Sequence, residues 1–324
     1  MKFHSIKNTE LKVSEIIYGC MNIGGSWNYT PYNIIDAKKA KDIIRTVLDE
    51  GINYFDHADI YTYGKSEQVF AQILKEDTSL RDKIIIQSKC GIRLKDDPVQ
   101  GLPQRYDFSY SHIIKSVDGI LNRLNTEFID VLLLHRPDPL IEPEEVAGAF
   151  DELESKGKVK YFGVSNHTAS QISLLQKYLG QKIIINQVEL NLLKTDLIDS
   201  GIVGSKKNPG SISGEGTLEY CRKNEISIQA WSPVAKGILS AGEIKDSPKY
   251  SGIRNVLNKF VADKNSTIES ILIAWLLKHP AKIHPVIGTT NIQRIKDCCT
   301  GCDVNLSREE WYELYIAACG ENLP

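Results

Sequence analysis

Gly51-Ile52-Asn53-Tyr54-Phe55-Asp56 marks a change from helix to strand near the start of the chain. Upstream, residues 36–50 place apolar side chains about every 3.6 residues, a pattern that predicts one buried face of a helix. Gly51 is typical of the residue that follows the end of a helix. Downstream, Asn53–Asp56 predicts a strand and residues 66–75 predict a second helix. A strand between two amphipathic helices is typical of α/β folds.

The same alternation continues through the rest of the chain. The predicted strands are Ile16–Gly19, Asn53–Asp56, Ile84–Lys89, Ile129–His135, Tyr161–Ser165, Ile183–Leu190, Ile226–Trp231 and Ile283–Ile287. The predicted helices are Asp36–Glu50, Ser66–Lys75, Ser109–Leu124, Glu142–Ser155, Ala169–Tyr178, Glu215–Lys223, Thr267–Lys278 and Ile292–Cys299, with a further C-terminal helix over Ser307–Cys319. Most of these strands are almost continuously apolar, as expected for a parallel sheet that is covered on both faces. Eight strand–helix units in 324 residues favour one (β/α)8 TIM barrel, with residues 1–324 as a single domain.

Two predicted connections are unusually long, Asn191–Gly214 and Lys236–Ile253, and both contain several Gly and Ser residues. We expect them to be loops at the C-terminal face of the barrel, where long loops are commonly functional. Their role is left open by the sequence.

Composition excludes several classes of function. The hydrophobic fraction is 42%, the charged fraction is 25% and the net charge is −2, which gives no electrostatic excess to attract nucleic acid. No apolar run approaches the roughly 20 residues that span a bilayer. Residues 1–5 lack the apolar stretch of a signal peptide, so the expected location is the cytoplasm and the expected partner is a small molecule. The oligomeric state is not predicted.

The seven cysteines are odd in number and no signal peptide precedes them, which predicts free thiols. Cys298, Cys299 and Cys302 form a cluster that raises the alternative of a metal site. No second Cys or His pair stands at ligand spacing nearby, so we expect no metal and interpret the cluster as packing at a helix end.

Four complementary side chains follow three consecutive predicted strands. Asp56 ends the second strand, Tyr61 lies in the loop after it, Lys89 ends the third strand and His135 ends the fourth. Because chemistry in a barrel takes place at the C-terminal ends of its strands, we expect these four to meet on one rim. Each alone has an ordinary structural explanation, but an acid, a phenol, an amine and an imidazole together predict acid–base chemistry.

These groups suit the reduction of a carbonyl, whose oxygen needs a proton as hydride arrives at carbon. The ordinary pKa of a tyrosine is about 10, and a nearby ammonium lowers it. We therefore predict that Lys89 lowers the pKa of Tyr61 so that Tyr61 acts as general acid. Asp56 would hold the charge of Lys89, and His135 would orient the carbonyl oxygen.

Several longer motifs resemble the aldo/keto reductase family. They are Gly51–Tyr61, Tyr63-Gly64-Lys65-Ser66-Glu67, Asp130–Arg136, Gly157-Lys158-Val159, Gly163-Val164-Ser165-Asn166 and Ile185–Glu189, within a resemblance that runs from Leu11 to Trp311. It is closest to bacterial oxidoreductases of that family with a Leu-His-Arg-Pro-Asp-Pro segment, here Leu134–Pro139. Asp56, Tyr61, Lys89 and His135 match the family's catalytic positions, and the implied activity is NADP(H)-dependent reduction of aldehydes or ketones.

The resemblance also implies where the cofactor binds, since the chain has no Gly-x-Gly-x-x-Gly fingerprint. Ser165, Asn166 and Gln187 match residues that hold the nicotinamide amide, and Trp231 matches the aromatic residue that stacks on its ring. Ser232, Pro233 and Gly237 match the segment over the pyrophosphate. At the adenosine end the matching residues are Gly288, Thr289, Thr290 and Arg294, of which Thr290 and Arg294 would bind a 2′-phosphate.

Two departures weaken the prediction of NADP(H) and leave NAD(H) as an alternative. Gly288 stands where some members carry Lys, and Cys298 stands where many carry an Asn that contacts adenine. Arg294 alternatively is a solvated helix residue.

For the substrate, Trp27 and Arg136 are the predicted contacts. Arg136 suits a carboxylate or phosphate, although an ion pair with a loop acid is an equal alternative. Met21 and Tyr63 are expected to face the same pocket.

The sequence leaves two alternative functions open. One is an NADP-binding regulatory or sensor protein with little turnover. The other is a metal-dependent barrel hydrolase that uses Asp56, His57, Asp59 and His135 as ligands.

Overall fold

The computed structural model describes residues 1–202, 214, 216–240 and 248–323. Its eight barrel strands, here β1–β8, are Ile17–Gly19, Tyr54–Asp56, Ile85–Cys90, Ile129–Leu134, Val159–Ser165, Ile183–Glu189, Ser227–Trp231 and His284–Ile287. Each pairs in parallel with its neighbours, and β8 pairs with β1 to close the barrel. The predicted (β/α)8 barrel is confirmed, and every predicted strand is present within two residues at either end.

Eleven helices are assigned within the described residues. They are α1 Ile34–Asp49, α2 Lys65–Glu76, α3 Tyr110–Leu124, α4 Pro143–Ser155, α5 Ala169–Tyr178, α6 Asp196–Asp199, α7 Thr217–Lys223, α8 Pro248–Asp263, α9 Ile268–Leu277, α10 Ile292–Thr300 and α11 Arg308–Cys319. All nine predicted helices are among them. Side-chain caps fix several beginnings, for example Asn33 before α1 and Ser307 before α11, where each capping side chain accepts a hydrogen bond from a backbone N–H of the first turn.

The prediction of a loop over Lys236–Ile253 is wrong in its last part, because α8 begins at Pro248. Ile253, Leu257 and Phe260 on α8 are all buried, so the helix is stabilised by packing against its neighbours α9 and α11. The other predicted loop contains the short α6. Residues 203–213, 215 and 241–247 lie outside the described residues.

Two hairpins were not predicted. Phe3–Ser5 pairs with Lys12–Ser14 before the barrel begins, and Ile92–Arg93 pairs with Arg105–Tyr106 after β3. The first hairpin brings Leu11 and Val13 into one apolar cluster with barrel residues such as Ile17, Val131 and Leu133. This cluster fills part of the barrel interior, while a larger cluster lies between the strands and the surrounding helices.

Within the described residues, no helix combines the length and apolarity that crossing a membrane requires.

Candidate active site

The four predicted catalytic residues lie together at the C-terminal ends of β2, β3 and β4. Lys89 has no exposed area, and its Nζ donates to Asp56 Oδ2 at 2.7 Å, to the backbone oxygen of His57 at 2.9 Å and to Tyr61 Oη at 3.0 Å. The His135 ring meets the Tyr61 ring edge to face, with centroids 5.9 Å apart. The three donors of the ammonium are therefore all used, and one of them is directed at the phenol.

Burial dominates the acidity of Tyr61. Desolvation raises the pKa of Tyr61 above its ordinary value, and the Lys89 ammonium lowers it by less than burial raises it. The predicted direction of the Lys89 effect on this pKa is confirmed, but desolvation of the phenolate, which our prediction did not consider, outweighs it. Tyr61 holds its proton at neutral pH. Lys89 itself stays charged, since Asp56 and Tyr61 raise its pKa against the effect of burial.

His135 is a neutral imidazole in this site. Burial holds its pKa well below the ordinary value, and the charges of Lys89 and Arg136 act in the same direction. Its Nδ1 is buried and has no hydrogen-bond partner among the described residues. A neutral imidazole can both donate and accept a hydrogen bond, which is what contact with a carbonyl or hydroxyl oxygen requires.

A layer of hydrogen-bonded polar side chains lies inside the barrel beneath these residues, and our sequence analysis did not predict it. Gln87 Nε2 donates to Asp56 Oδ1 at 2.5 Å, and Gln87 Oε1 accepts from Tyr54 Oη at 2.7 Å. Gln87 and Gln229 bond to each other through both amide groups, at 2.9 and 3.1 Å. This layer fixes the carboxylate of Asp56. This layer could have been predicted from the alternation of side chains along a strand. Tyr54 and Gln87 precede Asp56 and Lys89 by two residues, so each pair lies on the same face of its strand.

The residues expected at the nicotinamide end lie side by side at the C-terminal ends of β5, β6 and β7. Asn166 Nδ2 donates to Ser165 Oγ at 2.8 Å, and Asn166 Oδ1 accepts from Trp231 Nε1 at 3.0 Å. Ser165 Oγ donates to the backbone oxygen of Gln187, whose side chain donates to Gln229 at 2.9 Å. Asn166 has a left-handed backbone, with φ of 61°. Hydrogen bonds thus hold the predicted group together.

The residues expected near the phosphates follow β7 and β8. Ser232, Ala235 and Lys236 all have positive φ, so the segment after β7 is tightly folded over Ser232–Gly237. A Cβ placed on Gly237 would lie 3.7 Å from Arg294 Nη1, which shows that this segment contacts the first turn of α10. Arg294 Nε lies 3.7 Å from Glu269 Oε1, and its side chain is 43% exposed.

The adenosine-end loop is anchored to β1. The Tyr18 hydroxyl donates to the backbone oxygen of Thr289 at 3.1 Å, and Asn22 donates to that of Gly288 at 3.5 Å. Thr290 lies between this anchor and the start of α10, partly exposed. Pro233, which belongs to the segment after β7, is buried.

Both predicted substrate contacts have aromatic neighbours. The Arg136 guanidinium lies 5.5 Å from the centre of the Trp231 ring, and no ion pair of Arg136 is found within the described ranges. Trp27 lies on the connection after β1 and contacts Tyr63, with ring centroids 6.0 Å apart. Among the described residues, Arg136 thus lies over an aromatic ring rather than in the alternative ion pair.

No three His, Cys, Asp or Glu side chains stand close enough to share a metal ion in the part of the chain that the structure describes. Asp56 is bonded to Lys89 instead, and both ring nitrogens of His57 are buried without a hydrogen-bond partner. All seven cysteines are free thiols, as predicted. Burial raises the pKa of Cys299 and Cys302 to about 12.

Comparison with known proteins agrees with this geometry. The sequence profile described as "Aldo/keto reductase family" matches residues 15–318. The chain belongs to the aldo/keto reductase family. It is 36% identical over 315 residues to 6-dehydroglucose reductase of Agrobacterium fabrum, and the alignment covers 97% of each chain. It is 33% identical over 318 residues to an uncharacterized oxidoreductase, YcsN, of Bacillus subtilis, again with 97% of each chain covered.

Solved structures support the same architecture. The crystal structure of the thermostable aldo-keto reductase Tm1743 superposes with a TM-score of 0.79 at 22% identity, covering 98% of this chain and all of that one. At that identity the likeness establishes the barrel. As an aldo/keto reductase, the chain is a member of an oxidoreductase family that binds nicotinamide cofactors.

Proposed function

We propose that this chain is an NADP(H)-dependent reductase that converts aldehydes or ketones to alcohols, with Tyr61 as general acid. The observation that carries the proposal is the contact of a fully buried, charged Lys89 with the hydroxyl of a protonated Tyr61. A proton donor must hold its proton before the reaction and release it during the reaction. Tyr61 meets the first requirement through burial, and the adjacent ammonium stabilises the phenolate that remains afterwards.

The other residues have separate roles in this proposal. Asp56 holds the ammonium in place through the 2.7 Å ion pair. His135, neutral and next to the Tyr61 ring, orients the carbonyl oxygen toward the phenol. When bound, a reduced nicotinamide supplies the hydride that the carbonyl carbon receives. Carbon thus gains a hydride and oxygen gains the proton of Tyr61, which leaves an alcohol and a phenolate that solvent reprotonates.

The row of residues along β5–β8 fits an extended dinucleotide. Ser165, Asn166 and Gln187 would hold the nicotinamide amide, with Trp231 against its ring. Ser232, Pro233 and Gly237 would cover the pyrophosphate, and Gly288, Thr289, Thr290 and Arg294 would bind the adenosine 2′-phosphate. Contact between the Gly237 segment and Arg294 supports this path, because it brings the expected pyrophosphate and 2′-phosphate residues together. We propose NADPH over NADH on the basis of Arg294, which offers a planar, permanently charged group to a phosphate.

Substrate panels with both cofactors test the proposal. Aldehydes, ketones and sugar aldehydes, including 6-dehydroglucose because a relative bears the name of its reductase, are offered with NADPH and with NADH. We expect Tyr61→Phe to lower kcat/KM by about 10²–10⁴ while NADPH binding stays within twofold. Tyr178→Phe, which makes the same change at an exposed tyrosine at the end of α5, is the matched control.

Each alternative predicts a different result in the same assay. Tight NADPH binding with very slow turnover of every carbonyl compound would instead indicate a regulatory or sensor protein. Loss of activity with a chelator, without any need for NADPH, would indicate the metal-dependent hydrolase. Wild-type rates in Tyr61→Phe would overturn the assignment of the acid.

A further inference from the structure

An exposed group of aromatic rings stands at the rim of the barrel, next to the turn that carries Tyr61. Trp27 and Tyr29 lie on the connection between β1 and α1 and are 45% and 76% exposed. Both contact Tyr63, with ring centroids 6.0 Å away for Trp27 and 4.2 Å away for Tyr29. We call these three residues the aromatic wall. Large apolar rings held together in water at the edge of a site indicate a surface for binding.

Lys65 holds the loop that carries two of these rings. Only 6% of Lys65 is exposed, and its ammonium donates to Ser26 O at 2.7 Å, Thr30 O at 2.9 Å and Asn28 Oδ1 at 3.1 Å. The three acceptors bracket Trp27 and Tyr29 in the sequence. A buried ammonium needs all its donors satisfied, so this residue fixes the path of the loop.

The third ring is held by a strained turn on the other side. Thr62 and Tyr63 have φ of 47° and 59°, values that residues other than Gly rarely adopt. Thr62 Oγ1 shares a hydrogen bond with Ser66 Oγ at 2.9 Å, and Ser66 Oγ donates to the backbone oxygen of Met21 at 3.1 Å. Gly24 packs so closely that an added Cβ would lie 2.1 Å from Thr62 Oγ1. Loop and turn therefore form one unit that ends at Tyr61.

Residues with a left-handed backbone conformation are strained, and they persist at functional sites only where the surrounding structure holds the backbone in that conformation. Here the surroundings are the loop that Lys65 anchors. The left-handed conformation of the turn directs the ring of Tyr63 toward Trp27 and Tyr29. The rings meet at interplanar angles of 68° and 42°, so they form a faceted surface rather than a stack. Aromatic faces of this kind bind the C–H face of a pyranose or the edge of an aryl ring.

We propose that Lys65 is a positioning residue that holds the aromatic wall, and that the wall selects carbonyl substrates whose aldehyde is attached to a six-membered ring. This inference rests on the proposed carbonyl reduction. A small open-chain aldehyde reaches Tyr61 and His135 without contacting the wall, whereas a ring substrate places its ring against it. The wall therefore acts on binding of the ring and leaves the chemistry at Tyr61 unchanged.

The test compares three aldehydes: a pyranose with an aldehyde at its exocyclic carbon, benzaldehyde, and glyceraldehyde as the open-chain reference. Lys65→Met, which keeps the stem and removes the ammonium, and Tyr29→Ala are assayed with NADPH. We expect KM for ring substrates to rise about 2- to 12-fold, the range of a lost aromatic contact, with kcat and all constants for glyceraldehyde within twofold. Tyr178→Ala, an exposed tyrosine at the end of α5, is the matched control and should change nothing.

A double variant separates positioning from general damage to the fold. If Lys65 acts through the wall, Lys65→Met/Tyr29→Ala will have the KM of the more severe single variant, because the second change removes nothing further. A response by only one of the two ring substrates identifies which ring the wall binds.

Equal losses for glyceraldehyde and for ring substrates, or independent losses that multiply in the double variant, would overturn the assignment of Lys65. If Lys65→Met does not fold, Tyr29→Ala alone decides whether the wall binds rings. Failure of the wild-type protein to reduce any of the three aldehydes contradicts the proposed reduction itself, whereas reduction of all three with unchanged KM in Tyr29→Ala contradicts only the wall.

Discussion

Lys89 Nζ lies 3.0 Å from the phenol oxygen of Tyr61, and the lysine that makes this contact has no exposed area. Its charge is held in the barrel by Asp56, at 2.7 Å, and by the backbone oxygen of His57. A charge buried in this way lowers the stability of the fold unless it has a partner, so the charges of Lys89 and Asp56 depend on each other. Separate variants of the pair therefore distinguish the electrostatic role of Lys89 from its role in stability.

Lys89→Met should damage both stability and catalysis. It leaves the Asp56 carboxylate buried with Gln87 as its side-chain donor, and breaking a buried pair in this way costs about 3–5 kcal/mol of unfolding free energy. It also removes the cation that stabilises the Tyr61 phenolate, so kcat/KM should fall by about 10²–10⁴. Urea unfolding and steady-state reduction of one aldehyde measure the two effects.

The double variant Lys89→Met/Asp56→Asn is the control for this interpretation. It removes both charges, so we expect most of the lost stability to return while activity stays low. Recovery of activity together with stability would show that Lys89 acts only through folding, which contradicts its proposed role beside Tyr61.

Cofactor choice should depend on Arg294 and on its neighbour Glu269. Arg294→Ala should weaken NADPH binding about 10- to 100-fold, the range of lost charge-assisted hydrogen bonds, and leave NADH binding within twofold. Glu269→Gln removes the carboxylate 3.7 Å from Arg294 and should strengthen NADPH binding by a factor of about 2–5, as expected for a partly exposed pair. Isothermal titration calorimetry with each cofactor measures both effects.

Lys296→Ala is the matched control, since Lys296 is an exposed cation two residues further along α10. An equal loss of NADPH and NADH binding in Arg294→Ala would indicate that Arg294 stabilises the conformation at the start of α10 and does not bind the 2′-phosphate.

The barrel could be predicted from the sequence because its signals are local. The strand over Ile129–Leu134 is a largely apolar run directly before His135, and apolar side chains on both faces are typical of a strand in a buried parallel sheet. The same holds for the strand ends that carry Asp56 and Lys89. The prediction failed for α8, where Pro248 and Gly252 obscure a helix whose buried side chains Ile253, Leu257 and Phe260 are spaced correctly.

The pKa of Tyr61 could not be predicted from the sequence for a different reason. The attraction of Lys89 follows from residue types, but the opposing desolvation depends on how much protein surrounds the phenol, which only the packed structure determines. The contacts of Lys65 could not be predicted from the sequence for a similar reason. Its three acceptors are separated from it by more than 30 residues in the chain, and none is a charged side chain.

Asp59 gives the fold a specific dependence on pH. Its Oδ1 is buried without a hydrogen-bond partner among the described residues, and the fully buried Glu67 lies nearby, bonded to Arg123 at 2.7 Å and to Ser88 at 2.8 Å. Burial, followed by repulsion from Glu67, raises the pKa of Asp59 to about 8. The folded chain thus retains a proton there at pH values where an unfolded Asp, with a pKa of about 3.9, has lost it.

An acid whose pKa is raised by folding binds more protons in the folded state, so it makes the chain less stable as pH rises between its two pKa values. Asp59→Asn, which mimics the protonated acid, should therefore gain in stability over wild type as pH rises from about 4 to about 8. The difference should grow by at most about 1.4 kcal/mol per pH unit and stay constant above pH 8. Urea unfolding of both proteins at pH 5, 6, 7 and 8 measures it, with the exposed Asp303→Asn as the reference variant. A constant difference across that range would show that Asp59 is ionised throughout, and the charge would then have to be balanced by Arg123 despite the neighbouring Glu67.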